Sequence, residues 1–295
     1  MSQYIIQTRD LTKTYGEQKS VSNLNMHVRK GKIYGLLGRN GTGKSTLINL
    51  IGNQLVCKNG EIKIFGKSAK DDISVLENIC IVREKEFFLK DYKVKNIFDM
   101  HSKFYKNYDY NLQKKLSRLF EINEELSYKS LSRGQKTLLS NIIGICSNCP
   151  ITIFDEPTVG LDAVNRNYFY DVLIESYSEN PRTIIIATHL IEEVENLLEE
   201  VVIIKDGDVK ITDSLENIRQ KAYFISGNKN KINNIFELKD QRPLKHFGDN
   251  YTYWYYGDLN KTIKNKMYDF NISYENISLN ELFLSMNRKD VTLYE

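Results

Sequence analysis

Gly38–Thr46 of this chain has the sequence GRNGTGKST. The stretch matches the pattern G-x-x-x-x-G-K-[ST], and the apolar run Ile33 to Leu37 directly before it predicts a buried strand. A helix is predicted to start near Lys44. Strand, glycine-rich loop and helix together are typical of a phosphate-binding loop, whose backbone N–H groups surround phosphate oxygens at the positive end of the helix.

This loop predicts a nucleotide site. The Lys44 ammonium would reach the β- and γ-phosphates, and the Ser45 hydroxyl would hold Mg²⁺. A chance match in a glycine-rich turn is the alternative, but the strand and helix signals on either side oppose it. The residues of the loop that we expect to bind the nucleotide are Gly38, Asn40, Gly41, Gly43, Lys44, Ser45 and Thr46.

Length and composition limit the class of protein. A chain of 295 residues is typical of about two domains, and 41% hydrophobic with 27% charged residues is typical of a globular protein. No apolar run reaches the roughly 18 residues that span a membrane, and the start lacks the features of a signal peptide, so a cytosolic location is expected. The net charge of +3 does not by itself predict a polyanion partner.

Acidic residues follow a second predicted strand. Ile151 to Glu156 has the sequence ITIFDE, and Thr183 to Thr188 (TIIIAT) predicts another buried strand, with His189 at its end. The carboxyl ends of parallel strands form the edge where open α/β sheets bind ligands. One carboxylate can hold Mg²⁺ there, and the other can orient water. Leu190 to Glu200 predicts an acidic helix, and a terminal hairpin follows it.

A basic, aromatic-rich segment lies between these motifs. From Lys90 to Arg118, Lys and Arg outnumber Asp, aromatic residues are interleaved, and Leu112, Leu116 and Leu119 have helical spacing. One interpretation is a surface for single-stranded nucleic acid. The interpretation that we favour is a helical subdomain that docks on another protein near an anionic membrane surface.

The order of LTKTYG, GRNGTGKST, LSRGQ, ITIFDE, PTVGLD and ATH resembles the nucleotide-binding subunit of an ABC transporter over about residues 1 to 215. The signature LSRGQ distinguishes this family from other P-loop ATPases. Two positions depart from the usual pattern, because Arg133 stands where Gly is commoner and Arg39 where Pro is usual. The implied fold is α/β, a P-loop NTPase core with an antiparallel β subdomain and a helical insert at about residues 86–145.

The resemblance also implies roles for single residues. Tyr15 would stack on adenine, with Lys44 on the phosphates. Asp155 would bind Mg²⁺ and Glu156 would be the general base that polarises the attacking water. His189 would touch the γ-phosphate.

Other residues would act across a dimer. Ser132, Gly134 and Gln135 would be presented to the γ-phosphate held by the opposite subunit, and Asp162 would contact the partner. Two copies would then close on two ATP molecules. A homodimer is the expectation, and a heterodimer stays open.

One position departs from the family in a way that affects the metal site. The family normally has a Gln that contacts Mg²⁺ after the strand ending at Val82, and Glu84 stands there. We hypothesise that Glu84 serves as a metal contact and changes the rate of turnover, because its carboxylate adds negative charge beside the phosphates. The alternative is that Glu84 faces solvent.

Residues 216–295 lie outside the shared motifs. Their pattern predicts a small α+β domain with a split βαβ layer, and Ser278-x-x-Glu281 predicts a capping box before a final helix. Such accessory domains in this family are often regulatory or dimerising.

These features predict an ATPase that drives a separate integral membrane partner from the cytoplasmic face of the membrane. The arrangement resembles small two-gene ABC-2-like exporters, including those for phenol-soluble modulins, which implies peptide or other amphipathic cargo. The alternative is a soluble ABC-type ATPase acting on nucleic acid or ribosomes. Such proteins usually carry two ATPase cores or a long coiled coil, and neither is present, so no nucleic acid is expected.

Overall fold

The computed structural model describes residues 3–70, 72–83, 88, 90–238 and 241–288. The strands of this part of the chain are β1 (Tyr4–Tyr15), β2 (Gln18–Arg29), β3 (Ile33–Leu37), β4 (Asn59–Ile64), β5 (Lys67–Ser68), β6 (Ile79–Val82), β7 (Ile151–Asp155), β8 (Thr183–Thr188), β9 (Glu200–Lys205), β10 (Asp208–Ser214), β11 (Ala222–Asn228), β12 (Lys245–Phe247), β13 (Asn250–Tyr256) and β14 (Ser273–Asn276). The α-helices are α1 (Lys44–Ile51), α2 (Ile73–Leu76), α3 (Val94–Phe104), α4 (Tyr110–Leu119), α5 (Arg133–Cys146), α6 (Ala163–Glu179), α7 (Ile191–Val194), α8 (Leu215–Lys221), α9 (Lys229–Asn233), α10 (Lys261–Asp269) and α11 (Leu279–Met286). None of these helices is long and apolar enough to cross a membrane.

The central sheet has the strand order β10-β9-β3-β8-β7-β6. Strand β3 pairs in parallel with β8 and β9, and β7 pairs in parallel with β6 and β8. Every residue of β3 and β8 is buried, as expected of parallel strands covered on both faces. The predicted buried strands are therefore confirmed, and the segments that follow β3, β7 and β8 leave the sheet at the same edge.

A second, antiparallel sheet has the order β2-β1-β4-β5. Its inward residues, such as Ile6, Leu11 and Leu24, are fully buried in one hydrophobic core with Leu47 and Ile48 of α1. The antiparallel β subdomain is thus confirmed, and its shared core with α1 fixes β1 and β2 beside the phosphate loop.

The insert is helical, as predicted. Asp109 caps α4 by accepting a hydrogen bond of 2.9 Å from the Leu112 N–H, and the Asp109 N–H donates to the Cys146 carbonyl of α5 at 2.9 Å. The predicted apolar face is buried at Leu116, but Leu119 is 42% exposed.

The predicted acidic helix from Leu190 to Glu200 is wrong in its second half. Helix α7 ends at Val194, a 3₁₀ turn covers Glu195–Leu197, and Glu200 already begins β9. Glu200 pairs with Tyr34 of β3 and forms an ion pair with Arg29 at 3.1 Å. Sheet pairing therefore overrides the helical pattern of the acidic residues.

The chain divides into two compact units. One comprises the described residues of Met1–Leu190 and Asn196–Thr212, and the other comprises those of Ile191–Glu195 and Asp213–Glu295, which we call the accessory unit. The sheet of the accessory unit has the order β12-β13-β11-β14 and is antiparallel. Since β13 lies between β11 and β12, the predicted split βαβ arrangement is confirmed. The Ser278–Glu281 capping box is also present.

Candidate functional site

The phosphate loop connects β3 to α1, which begins at Lys44 as predicted. Gly43 has φ of +106°, and a Cβ atom at this position would lie 2.3 Å from the Ser20 carbonyl oxygen. Only glycine combines this backbone conformation with so close an approach of β2. The Thr46 and Ser20 hydroxyls are hydrogen-bonded at 2.8 Å, which ties the loop to the antiparallel sheet.

A cavity of about 350 Å³ opens at this loop. Asp155 at the end of β7 and Glu156 directly after it contribute two carboxylates to the wall of this cavity. The phosphate loop and the two acidic residues predicted from the sequence therefore lie together. The lining residues are Ser20, Arg39, Asn40, Gly41, Gly43, Lys44, Ser45, Thr46, Asp155 and Glu156.

Lys44 is the buried cation of this cavity, with only 5% of its surface exposed. Its Nζ donates to the Gly38 carbonyl oxygen at 2.6 Å and lies 3.7 Å from Glu156 Oε1. Burial lowers the pKa of Lys44, and the carboxylates of Glu156 and Asp155 oppose that shift. A buried ammonium that is only partly compensated by carboxylates favours a polyanion such as a triphosphate nearby.

Glu156 is held at both carboxylate oxygens. His189 Nδ1 lies 2.9 Å from Oε1, and the Thr188 hydroxyl donates to Oε2 at 3.1 Å. The same hydroxyl accepts a hydrogen bond of 3.0 Å from the Leu190 N–H. Glu156 itself has φ of +53°, a conformation that costs roughly 1 kcal/mol and is commoner at functional sites. The carboxylate is thereby fixed in one orientation at the cavity wall.

Asp155 has the properties of a metal ligand. Burial raises its pKa, and a hydrogen bond with Ser45 opposes that rise. Within the described part of the chain, Asp155 Oδ1 is buried without a hydrogen-bond partner. A buried carboxylate oxygen without a donor, beside a hydroxyl, fits the oxygen ligands that Mg²⁺ prefers.

The signature residues form a second cluster. Ser132 and Gln135 form a capping box at the start of α5, with hydrogen bonds of 3.0 and 3.1 Å. A Cβ atom on Gly134 would lie 2.9 Å from the Gly160 carbonyl oxygen, so this glycine permits close packing on the turn before α6. Asp162 caps α6 by accepting from the Asn165 N–H at 2.8 Å. None of these residues is among those that line the cavity at the phosphate loop.

Tyr15 is not among the residues that line the cavity. Tyr15 ends β1, and half of its surface is exposed, with Lys13 Nζ 5.5 Å from the ring centroid. Glu84 lies outside the described residues, so its predicted role at the metal stays a prediction. The C-x-x-C pair, Cys146 and Cys149, consists of buried free thiols, and burial raises the pKa of Cys149 to about 12.

Sequence reasoning missed two residues of the site, Ser20 and Thr188. Thr188 is the last residue of β8 and directly precedes His189. This position at the strand end could have predicted that its hydroxyl contacts Glu156. Ser20 carries no local signal, because only the packing of β2 against the loop brings it to the cavity.

The fold and the site define a P-loop nucleotide-binding protein with a signature helix. A family model described as ABC transporter matches residues 21–159. The chain is 30% identical over 240 residues to the bacitracin transport ATP-binding protein BcrA of Bacillus licheniformis, covering 80% of this chain and 76% of that one. It is 28% identical over 217 residues to the ABC transporter ATP-binding protein YtrB of Bacillus subtilis, covering 74% of each.

A solved dimer of an ATP-binding cassette, in a post-hydrolysis state bound to ADP and Pi, has a TM-score of 0.61 with 23% identity. The matched region covers 71% of this chain and 98% of the cassette chain. The chain belongs to the family of ABC transporter ATP-binding proteins. It is accordingly an ATPase of the kind whose hydrolysis is coupled to transport.

Proposed function

We propose that this chain hydrolyses ATP as one of two subunits closed around ATP and drives transport by a separate integral membrane partner. The observation that carries the proposal is the restraint of Glu156 by His189 and Thr188, beside Lys44 at the phosphate loop. A carboxylate so placed is a general base whose orientation is set before substrate binds.

In this mechanism the Lys44 ammonium neutralises charge on the transferred phosphate, as phosphoryl transfer requires. Glu156 orients and deprotonates the attacking water, and His189 keeps the carboxylate aimed and contacts the γ-phosphate. Asp155 and Ser45 are the residues that would hold Mg²⁺, which supplies positive charge next to the phosphates. Tyr15 offers an exposed ring face to the adenine.

Dimerisation follows from the separation of the two clusters. Ser132, Gly134 and Gln135 are absent from the cavity lining, although a signature serine would contact the γ-phosphate. A second copy can supply these groups across the interface, with Asp162 at the contact. The dimeric arrangement of the related cassette supports this geometry. A homodimer gives two matched sites, since each copy carries both clusters.

For the cargo we propose a peptide or another amphipathic molecule, moved outward. The support is the likeness to BcrA, whose name assigns it to bacitracin transport, and bacitracin is a peptide. The membrane partner would be a second chain located in the membrane, and this subunit would bind it at the cytoplasmic face.

The test is affinity purification of the tagged full-length chain from detergent-solubilised membranes of its own host. The proposal predicts one co-purified membrane protein with several hydrophobic spans and ATP turnover that Lys44→Ala abolishes. The variant Lys264→Ala is the matched control, since it removes a lysine of the accessory unit, next to the Tyr274 ring, that lines neither the cavity nor the signature cluster. Co-sedimentation with ribosomes, without a membrane protein, would contradict the proposal.

A further inference from the structure

The start of helix α7 is one of the places where the chain passes from one of its two units to the other. Leu190 belongs to the unit that carries the phosphate loop, whereas Ile191–Glu195 belongs to the accessory unit. The crossing therefore occurs directly after His189, which lies against Glu156.

The accessory unit holds α7 by packing and by polar contacts. Ile191 and Val194 are buried, with 2% and 0% of their surface exposed. Asn280 of α11 donates to Glu192 Oε1 at 2.5 Å, and Arg219 of α8 forms an ion pair at 3.1 Å with Glu195, the residue directly after α7.

The other end of this segment restrains the catalytic carboxylate. The Leu190 N–H donates to the Thr188 hydroxyl, which in turn donates to Glu156 Oε2, while His189 contacts Oε1. Only Leu190 separates His189 from Ile191 in the chain. A displacement of α7 therefore changes the backbone on which both partners of Glu156 lie.

We infer that Arg219 and Asn280 are positioning residues for ATP hydrolysis. By fixing α7 they fix the Thr188–Leu190 segment, and through it the orientation of Glu156. The accessory unit is then part of the machinery that sets the turnover rate, and any partner that moves α8 or α11 adjusts that rate. The inference rests on the proposed roles of Glu156 and His189.

The test uses the full-length protein, with near-isosteric changes at Asn280 and Glu192 and removal of the Arg219 side chain. Asn280→Asp places a carboxylate against Glu192 with little change in shape, and Glu192→Gln in the same chain restores a donor and acceptor pair. Arg219→Ala removes the second contact. The matched control is Lys264→Ala, which removes a cation from the accessory unit that lies 5.6 Å from the Tyr274 ring and not at α7.

We expect Asn280→Asp and Arg219→Ala to lower kcat about 10-fold, because a catalytic group misplaced by about 1 Å can lose about 100-fold in rate and a smaller misplacement loses less. KM for ATP should stay at the wild-type value, since neither residue lines the nucleotide cavity. The double variant Asn280→Asp with Glu192→Gln should recover the wild-type kcat. Lys264→Ala should leave kcat unchanged.

Equal kcat values for Asn280→Asp, Arg219→Ala and Lys264→Ala would overturn the inference. A low kcat of Asn280→Asp that the added Glu192→Gln does not raise to the wild-type value would also overturn it. Glu156→Gln in the same assay separates this failure from a failure of the proposed function. If Glu156→Gln loses turnover and Asn280→Asp does not, only the positioning role is wrong. If Glu156→Gln keeps turnover, the proposed general base is wrong and the inference falls with it.

Discussion

Thr188→Val tests whether the hydrogen bond from the Thr188 hydroxyl to the Glu156 carboxylate contributes to catalysis. Valine has nearly the shape of threonine but cannot form hydrogen bonds, and Thr188 is only 1% exposed, so water does not replace the lost contacts. The change removes the 3.1 Å bond to Glu156 Oε2 and the acceptor of the Leu190 N–H. His189 remains as the restraint on the other oxygen.

The expected fall in kcat of Thr188→Val can be calculated from the hydrogen bond that Glu156 loses. A hydrogen bond to a charged group contributes about 1.5 kcal/mol or more, and about 1.4 kcal/mol corresponds to a factor of ten in rate. We therefore expect kcat to fall about 10-fold if the bond maintains the reactive orientation. KM for ATP should not change, because Thr188 does not line the cavity. The stability of the fold should fall by about 1 kcal/mol, since the Leu190 N–H loses its partner.

The assay is steady-state ATP turnover combined with thermal unfolding, and Thr152→Val is the matched control. Thr152 lies on the neighbouring strand β7 and is fully buried, and within the described part of the chain its hydroxyl has no hydrogen-bond partner. The same substitution there removes no bond, so turnover should be unchanged. If Thr188→Val turns over ATP as fast as Thr152→Val, the restraint on Glu156 has no role in catalysis.

Two further changes test the phosphate loop and the metal site. Gly43→Ala should abolish binding of a fluorescent ATP analogue, because its Cβ would meet the Ser20 carbonyl oxygen. Gly66→Ala is the control and should bind normally, since Gly66 has φ of +77° with open space around it. Normal binding by Gly43→Ala would show that the phosphate loop does not bind the nucleotide as proposed. Asp155→Asn should raise the melting temperature of the nucleotide-free protein at neutral pH and abolish Mg²⁺-dependent turnover. Burial raises the pKa of Asp155, so this carboxyl contributes stability below its unfolded pKa and loses that contribution as the pH rises through the folded pKa. The gain in Asp155→Asn should therefore disappear in acid, and an equal gain at every pH would contradict the assignment.

The parts of the fold that follow from sequence are those with a local physical cause. The apolar runs at Ile33–Leu37 and Thr183–Thr188 have few alternatives to buried parallel strands. The turns of the phosphate loop require glycine, and the capping box at Ser278 marks a helix start. For the same reason the strand ends, and with them Asp155 and Glu156, could be placed at one edge of the sheet.

The remaining features depend on contacts between distant segments. Ser20 reaches the cavity only because β2 packs on the phosphate loop, and nothing in its own neighbourhood indicates that. Glu200 has the acidic surroundings of a helix, yet it lies in β9 because pairing with Tyr34 determines its conformation. The contacts of Ile191–Glu195 with α8 and α11 are equally non-local, since Glu195 and Arg219 are 24 positions apart.

Closure of two copies on ATP can be observed in the state of association of Glu156→Gln. This variant keeps the shape of the site and lacks the base, so bound ATP should persist and hold the dimer together. Light scattering after size exclusion with ATP and Mg²⁺ should show a dimer, and the same sample without ATP a monomer. A monomer under both conditions would show that two copies do not close on ATP.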